Sequence, residues 1–295
     1  MMTHAPGDLS WQGEELDLDA YLARIGYDGD RTPTLATLRA LQRAHVTAIP
    51  FENLEIALGR PVVLGVKTLQ DKMVHRRRGG YCYEHTELFA AALERLGFTF
   101  TALSARVSMG MEKLLPATHA LLRVEVEGDT WLCDIGFGAG PLEPLRFEDG
   151  EESAQGGWAF RLERIATSMS GLPVERWALH QHGPEGWLLR HSFALAPAYR
   201  IDYEVGNHFV STHPRSPFTG RAYAQYLDAE TKHELDDTRL KTVHADGRAD
   251  PVRHRDLEPG EVPDALAGLF GIELDAEDTA RLVAELTRTS REPRG

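Results

Sequence analysis

The sequence predicts an α+β protein whose hydrophobic periodicity changes along the chain. Apolar residues recur at helical spacing up to about residue 97 and then alternate every second residue. Short turn sequences separate the alternating segments, which is typical of an antiparallel sheet that closes towards a barrel. With 295 residues, 42% hydrophobic and 26% charged, the chain has room for two or three subdomains. We therefore divide it into residues 1–97, 98–214 and 215–295.

The composition argues against several classes of protein. A formal net charge of −13 argues against binding to nucleic acid or to anionic membranes. No apolar run approaches the roughly 20 residues that cross a bilayer, and Met1–Gly13 has no apolar signal core, so we expect a cytoplasmic protein. Two cysteines make neither a disulfide framework nor a four-ligand zinc site, and we expect no metal.

The first third of the chain is predicted to be mostly helical. Residues 1 to about 10 carry no pattern and are expected to be disordered. Helices are predicted over Leu16–Ile25, from the cap Thr34 to His45, and over Thr68–His75. The segment Ile49–Ile56 contains a proline and mixes buried-type with polar side chains, which indicates a specific loop rather than a surface linker.

The middle third is predicted to form antiparallel strands, and the last third mixes helix and strand. The predicted strands are Phe100–Val107, His119–Val126, Thr130–Ile135, Trp158–Ile165, Trp177–His182 and Trp187–Phe193. Turn residues at Gly128–Asp129 and Gly183–Gly186 indicate two hairpins, and Ser108–Thr118 is a loop. Towards the end, Asp278–Leu286 is the clearest helix and Ser290–Gly295 is expected to be a frayed tail.

Cys82 lies where an irregular segment ends and a helix begins. Gly79 and Gly80 interrupt regular structure before it, and apolar residues at helical spacing follow until Gly97. The positive end of the peptide dipoles at a helix start favours thiolate over thiol, and two glycines allow close approach of a bound molecule. The pattern predicts a nucleophile, although a cysteine without such surroundings is more often a small buried residue.

His119 and Asp134 are the residues most suited to act with this thiol. His119 begins one predicted strand and Asp134 lies near the end of the next, so a hairpin turning at Gly128–Asp129 brings them close across the ladder. The aspartate then fixes the imidazole through one ring nitrogen while the other nitrogen faces Cys82. By strand alternation Cys133 points to the opposite face, where we expect an inert core residue.

The remaining histidines have no comparable context in the sequence. We interpret most of them as structural or exposed; they include His45, His75, His180, His182, His191 and His213.

Ordered motifs along the chain resemble the arylamine N-acetyltransferase family. They are Pro50–Leu54, Arg78–Glu84, Thr118–His119, Asp134–Gly138, and Asn207–Pro214 followed by Phe218. The resemblance extends from about Leu16 to Leu274 and is strongest around Cys82. At Thr86 the chain departs from the family, which usually has asparagine there.

This resemblance implies a fold and a reaction. The fold is an N-terminal helical bundle with the nucleophile, a central antiparallel β-barrel with the histidine and aspartate, and a C-terminal α/β lid, with the triad arranged as in cysteine proteases. The triad is Cys82, His119 and Asp134. The reaction is ping-pong transfer from acetyl-CoA, through an acetyl-cysteine thioester, to an aromatic amine or hydrazine. The resemblance does not indicate an oligomeric state.

Further residues match family positions with defined roles. Phe51 and Val107 match positions that line the acyl and amine pocket, although core packing explains them equally well. The matches to the coenzyme A cleft are Thr118, Phe137, Gly138 and Phe218. The expected partner of Arg78 is Glu52, in a buried ion pair. Candidate partners for the coenzyme A phosphates are Arg215, Lys232 and Lys241.

Three other functions remain open at the level of sequence. An amide synthase of the same fold would load a polyketide acyl chain on Cys82 from a carrier protein and close a macrolactam. A cysteine peptidase also orders cysteine before histidine, but it usually has asparagine as its third member. A non-catalytic binding protein would bury the thiol without activating it.

Overall fold

The structure is a computed structural model that describes residues 9–111, 113–169, 172–183, 185–245 and 252–291. It confirms the α+β class. The α-helices are α1 (Leu18–Ile25), α2 (Leu35–Ala48), α3 (Leu54–Ala57), α4 (Val66–Leu69), α5 (Cys82–Leu96), α6 (Arg200–Thr212), α7 (Val262–Phe270) and α8 (Ala276–Arg291). Shorter turns of 3-10 helix lie at Gly13–Glu15 and Pro259–Glu261, and the π-helical segment Gln70–His75 continues α4.

The strands form two antiparallel sheets. They are β1 (Phe51–Glu52), β2 (Thr99–Val107), β3 (His119–Val126), β4 (Asp129–Cys133), β5 (Leu145–Arg146), β6 (Glu152–Gln155), β7 (Trp158–Met169), β8 (Leu172–Gly183), β9 (Gly186–Phe193), β10 (Tyr223–Leu227), β11 (Thr231–Asp236), β12 (Arg239–His244) and β13 (Val252–Asp256). One sheet has eight strands in the order β5-β4-β3-β2-β9-β8-β7-β6, and the other has five in the order β1-β10-β11-β12-β13.

The eight-stranded sheet is a nearly closed barrel. Its two edge strands, β5 and β6, are brought together by Gln155, whose side chain accepts a hydrogen bond from the Glu143 backbone N–H at 2.9 Å and donates one to the Glu143 carbonyl at 3.0 Å. Alternate side chains fill the interior, which includes Phe160, Leu162 and Phe193. The barrel predicted from period-two patterning is therefore present, with one side-chain amide bridging its remaining gap.

The five-stranded sheet pairs a strand from the first third of the chain, β1, with four strands from the last third. Phe51 and Glu52 pair with Gln225 and Ala224, so a segment predicted as a loop is the edge strand of the C-terminal sheet. Because Phe51 and Gln225 are far apart in the sequence, local pattern does not predict this strand pairing. Helices α7 and α8 pack on this sheet around Leu266.

Helix α5, which begins at Cys82, is the centre of the helical part. It packs in a core that also contains side chains from α1, α2 and strands β2–β4. Leu88, Phe89 and Leu93 of α5 are fully buried in this core. Helix α6, which follows the barrel strands, packs on the same core through Tyr203. This helix lies inside the segment assigned to the barrel by alternation, so the division at residues 97 and 214 stays a proposal.

Several predicted boundaries are confirmed and others move. Helix α1 ends at Gly26, which adopts the left-handed conformation, and the Thr34 hydroxyl caps α2 by accepting from the Thr37 N–H at 3.2 Å. The return strand predicted to Ile135 ends at Cys133. The disorder expected for residues 1–8 and the tail at 292–295 lie outside the described residues, while Ser290 still belongs to α8.

No helix in the described part of the chain is both long enough and apolar enough to cross a membrane.

Candidate active site

Cys82 is the first residue of α5, and its thiol is 5% exposed. The start of the helix is fixed by Glu84, whose carboxylate accepts from the Tyr81 backbone N–H at 3.0 Å and from the Lys72 ammonium at 2.7 Å. The first N–H groups of a helix have no acceptor within that helix, and Cys82 is the residue at which this helix begins. Cys82 is thus held on a buried element with a fixed start.

Gly79, in the turn before this helix, allows two backbone segments of the protein to pack closely. A Cβ on Gly79 would overlap the carbonyl oxygen of Pro50, because the segment that carries Phe51 and Glu52 packs against the turn. The Glu52 N–H donates to the Gly80 carbonyl at 2.8 Å. The sequence interpretation, in which the two glycines leave room for a ligand, is therefore replaced by close backbone packing at Gly79.

A buried ion pair fixes the same segment, as the sequence predicts. The Arg78 guanidinium lies 2.9 Å from the Glu52 carboxylate, and Lys72 lies 3.8 Å from it. Burial opposes the charge on Glu52, but the two cations and the Leu54 N–H outweigh it and lower the pKa of Glu52 to about 2. The segment around Glu52, helix α5 and these charged side chains are therefore linked to one another.

His119 and Asp134 meet as the hairpin predicts, although not directly across from each other. The ladder pairs Leu122 with Cys133, so the same register would place Gly136 opposite His119 and Asp134 on the diagonal. The two side chains share one face, and Nε2 of His119 lies 2.7 Å from Oδ1 of Asp134. Both are almost fully buried, at 3% and 1% exposure.

The imidazole of His119 links the carboxylate to the sulfur. Its Nε2 is occupied by Asp134, so Nδ1 is the nitrogen that remains for its hydrogen bond with Cys82. The sulfur also lies 3.5 Å from the Thr118 carbonyl oxygen. The structure therefore brings Cys82, His119 and Asp134 together in one hydrogen-bonded row.

The charges of this row support one another. Burial alone would lower the pKa of His119, but the charge and hydrogen bond of Asp134, aided by Cys82, raise it to about 10. Burial likewise opposes ionisation of Asp134, yet the two imidazoles lower the pKa of this carboxyl well below its usual range. At neutral pH the arrangement is an imidazolium held between a carboxylate and a sulfur.

A second histidine binds the other oxygen of Asp134, and sequence analysis missed it. Nε2 of His191, on β9, lies 2.8 Å from Oδ2 of Asp134, and the ring is completely buried. In the barrel, Ala105 pairs with His119 while Val107 pairs with His191, so the two histidines lie diagonally across β2 on one face. The contact between His191 and Asp134 depends on the order of the strands in the barrel, which the sequence alone does not give.

A second buried histidine pair, His45 and His85, links α2 to α5. The Tyr21 hydroxyl is 2.8 Å from Nδ1 of His45, whose Nε2 is 2.8 Å from Nδ1 of His85. Nε2 of His85 donates to the Pro50 carbonyl at 3.2 Å. One neutral proton arrangement satisfies the whole chain, which anchors the loop that carries Phe51.

The other predicted site residues lie around this row. The Phe137 ring packs edge-on against the His119 ring at 5.0 Å between centroids, and Gly138 lies against Phe51. The Phe51 ring packs on Phe218 at 5.8 Å, and Val107 ends strand β2 opposite His191. The Thr118 carbonyl touches the sulfur, so Thr118 and Phe137 contact the row directly, while Phe51, Gly138 and Phe218 contact one another beside it.

The remaining individual predictions have mixed outcomes. Cys133 is fully buried, and burial raises the pKa of its thiol far above the usual range, as expected for a core residue. Thr86 donates to the Ala120 carbonyl at 3.2 Å, which ties α5 to β3. Lys232 lies 3.1 Å from Glu234, so the cation is already paired within its own strand.

His119, Asp134 and His191 also form a group whose ligand atoms lie within 4.8 Å of one another, close enough to hold a metal ion. In the structure the two Nε2 atoms are directed at the two carboxylate oxygens, which accounts for the arrangement by hydrogen bonding alone. The expectation that the protein uses no metal stays a prediction.

Comparison with known proteins gives consistent matches over most of the chain. A family model described as N-acetyltransferase matches residues 34–279. The arylamine N-acetyltransferase of Mycolicibacterium smegmatis is 39% identical over 285 residues, covering 93% of this chain and 99% of that protein. The crystal structure of the Nocardia farcinica arylamine N-acetyltransferase is similar at 53% identity with a TM-score of 0.90, covering 97% of this chain and 100% of that one.

A third match was solved with a bound molecule. The Mycobacterium marinum arylamine N-acetyltransferase in complex with CoA is similar at 33% identity with a TM-score of 0.82, covering 92% of this chain and 99% of that one.

Proposed function

The chain belongs to the arylamine N-acetyltransferase family, and from this premise we propose that Cys82, His119 and Asp134 carry an acetyl group from acetyl-CoA to an aromatic amine or hydrazine. The observation that carries the proposal is the row itself, in which Asp134 lies 2.7 Å from Nε2 of His119 and Cys82 hydrogen-bonds to the same ring. Such an arrangement makes a thiol nucleophilic at neutral pH.

The first half of the reaction loads the cysteine. The sulfur of Cys82 attacks the thioester carbonyl of acetyl-CoA, the bond to the CoA sulfur breaks, and that thiol leaves with a proton from His119. One thioester replaces another, so the step depends on positioning more than on driving force. The unpaired N–H groups at the start of α5 are placed to stabilise the oxyanion.

The second half passes the acetyl group to the acceptor. The amine nitrogen attacks the acetyl-cysteine carbonyl, and His119, now neutral, accepts the amine proton. The sulfur of Cys82 leaves as a thiolate, which restores the imidazolium pair. Asp134 holds the ring in one orientation throughout, with its proton-bearing Nε2 fixed and Nδ1 directed at the reacting atoms.

The residues around the row are proposed to form the two binding regions. Phe51 and Val107 line the acyl and amine pocket, where apolar walls suit an aromatic ring. The proposed coenzyme A contacts are Thr118, Phe137, Gly138 and Phe218. The likeness to a protein solved in complex with CoA supports this cleft. Arg215, Lys232 and Lys241 stay candidates for the phosphates.

The relatives do not favour the alternatives. The matching relatives reported above are named acetyltransferases. A macrolactam-forming amide synthase would carry a different acyl group on the cysteine, and a peptidase would use water as the acceptor. We further propose a cytoplasmic protein whose partners are coenzyme A and a small amine, without nucleic acid, membrane or resident metal.

A pair of cysteine variants tests the proposal. Cys82→Ala is expected to abolish acetyl-CoA-dependent acetylation of an arylamine while the thermal unfolding transition is retained. Cys133→Ala is the matched control, because this second cysteine is buried in the core and strand alternation directs it to the face opposite Asp134, and it is expected to keep substantial activity. Activity of Cys82→Ala above the uncatalysed background would refute the proposal.

A further inference from the structure

His191 is the one histidine on β9, and it contacts the carboxylate oxygen that His119 does not, with the two rings 5.0 Å apart between centroids. Its Nε2 lies 2.8 Å from Oδ2 of Asp134, while Nε2 of His119 lies 2.7 Å from Oδ1. The carboxylate therefore has both oxygens occupied, one by each imidazole. The His191 ring is enclosed by Phe137 and Phe193, with centroid distances of 5.5 and 5.9 Å.

The hydrogen bonds determine where the protons are. An ionised carboxylate can only accept, so each Nε2 carries a hydrogen and donates it. The second nitrogen of His191, Nδ1, has no hydrogen-bond partner among the described residues. If His191 were an imidazolium, Nδ1 would be a buried donor without an acceptor, which is costly. For His119 the corresponding nitrogen faces Cys82, so a proton there is satisfied.

The surrounding charges agree with this assignment. The titratable and charged groups that face the pair are Asp134, Cys82 and the buried guanidinium of Arg190. Burial lowers the pKa of His191, and together with the charges of His119 and Arg190 it outweighs the hydrogen bond to Asp134 and the charge of that carboxylate, which raise it. Arg190 lies over the Phe137 ring at 4.3 Å and in turn neighbours Tyr223 and Glu234.

We propose that His191 is a positioning residue: a neutral imidazole that holds the second oxygen of Asp134, so that the carboxylate stays turned towards His119 and the mobile proton stays on His119. This inference rests on the proposed function, because it assigns a further role in the same reaction. Without the donor, the carboxylate would be free to rotate and would be easier to protonate, which weakens its hold on the imidazolium.

Two substitutions separate the donor from the bulk of the ring. His191→Phe keeps an aromatic ring but removes the hydrogen bond, whereas His191→Gln offers an amide N–H that can reach Asp134. His182→Phe, on the neighbouring strand β8 and exposed, is the matched control. The measurement is the rate of Cys82 carbamidomethylation by iodoacetamide between pH 5 and 9, followed by peptide mass so that Cys133 is counted separately.

For His191→Phe we expect the acid limb of the profile to move up by about one pH unit, the size of one hydrogen bond to a charged group, so that the rate at a fixed pH on that limb falls by up to about tenfold. His191→Gln should recover to within about threefold of wild type, and His182→Phe should match it. An unchanged profile for a folded His191→Phe would overturn the inference, as would a glutamine variant no better than phenylalanine.

Nitrogen NMR of the histidine rings in the unmodified enzyme covers the case in which His191→Phe does not fold. His191 should remain neutral with its hydrogen on Nε2 from pH 5 to 9 while His119 is charged; an imidazolium at His191 would overturn the inference. The two proposals fail in different ways. Wild-type Cys82 that reacts no faster than a free thiol overturns the proposed function and the inference with it. A reactive wild type with an unaffected His191→Phe overturns only the role of His191.

Discussion

Replacing Asp134 with asparagine removes one charge and one acceptor from the centre of the row. In the native structure both carboxylate oxygens accept from imidazole Nε2–H groups, at 2.7 Å from His119 and 2.8 Å from His191. An asparagine has a single carbonyl oxygen, so its NH₂ group must face one of these donors. If it faces His119, the ring shifts its hydrogen to Nδ1 and can no longer accept a proton from the sulfur side.

The size of the effect follows from the electrostatics of His119. Its pKa is raised from 6.5 to about 10 against the opposing effect of burial, a difference of 10 − 6.5, or between three and four pH units. Each pH unit is a tenfold change in proton affinity, so loss of the carboxylate would lower the proton affinity of His119 by a factor on the order of 10³. With the pKa back at or below 6.5, less than about a quarter of the rings would be charged at pH 7. Tautomer misplacement in such triads is worth about 10⁴ in rate, so we expect acetylation of Cys82 to slow by about 10³- to 10⁴-fold.

The assay is single-turnover acetylation of the protein by acetyl-CoA at pH 7, quenched with acid and followed by intact mass. Asp129→Asn is the matched control, because Asp129 is exposed at the start of β4 in the same hairpin and forms an ion pair with Arg146 at the surface. It should acetylate at the wild-type rate. If Asp134→Asn stayed within tenfold of wild type while folded, the argument that the carboxylate fixes and charges His119 would be wrong.

Two further changes test the supports of the nucleophile. Glu52→Gln should lower the free energy of unfolding in urea by about 1.5–3 kcal/mol, because it removes the carboxylate that Arg78 and Lys72 share, while Lys72 keeps Glu84 at 2.7 Å and Arg78 keeps Glu55 at 3.3 Å. Glu148→Gln, at an exposed pair with Arg146, should cost under about 1 kcal/mol, and equal effects would contradict the buried network. Because the pKa of Glu52 is depressed to about 2, its stabilisation is present above its ordinary value of 4.5 and is lost as pH falls from there to about 2, so the difference between Glu52→Gln and wild type should vanish over that range. Gly136→Ala would place a Cβ 2.7 Å from the Cys82 Cα and so displace this residue. Acetylation activity should fall at least tenfold while the unfolding transition is retained. Wild-type kinetics in this variant would contradict the prediction.

Local sequence pattern predicted the elements whose causes are local. Cys82 follows a glycine-containing turn and starts an apolar helical repeat, and the cap at Thr34 and the stop at Gly26 are set by neighbouring residues. The meeting of His119 and Asp134 was predictable because one hairpin carries both. Its diagonal geometry was not, since the strand ends one residue before Asp134.

Features that depend on strand order or on distant segments could not be predicted in this way. His191 comes to Asp134 only because β9 lies beside β2 in the barrel, and the two residues are 57 positions apart. The sequence around Phe51 and Glu52 predicts a loop, because their strand partner, β10, lies far along the chain. The sequence around His45 predicts only a structural or exposed residue, because its partners Tyr21 and His85 are on other helices.

The central claim is that the Cys82 sulfur carries the acetyl group between the two substrates. Intact mass of the protein mixed with acetyl-CoA alone, with no amine present, tests it most directly. One acetyl group should be added, map to the peptide that contains Cys82, and disappear when an arylamine is supplied. No added mass, or an acetyl group on another residue that persists with the amine, would contradict the account.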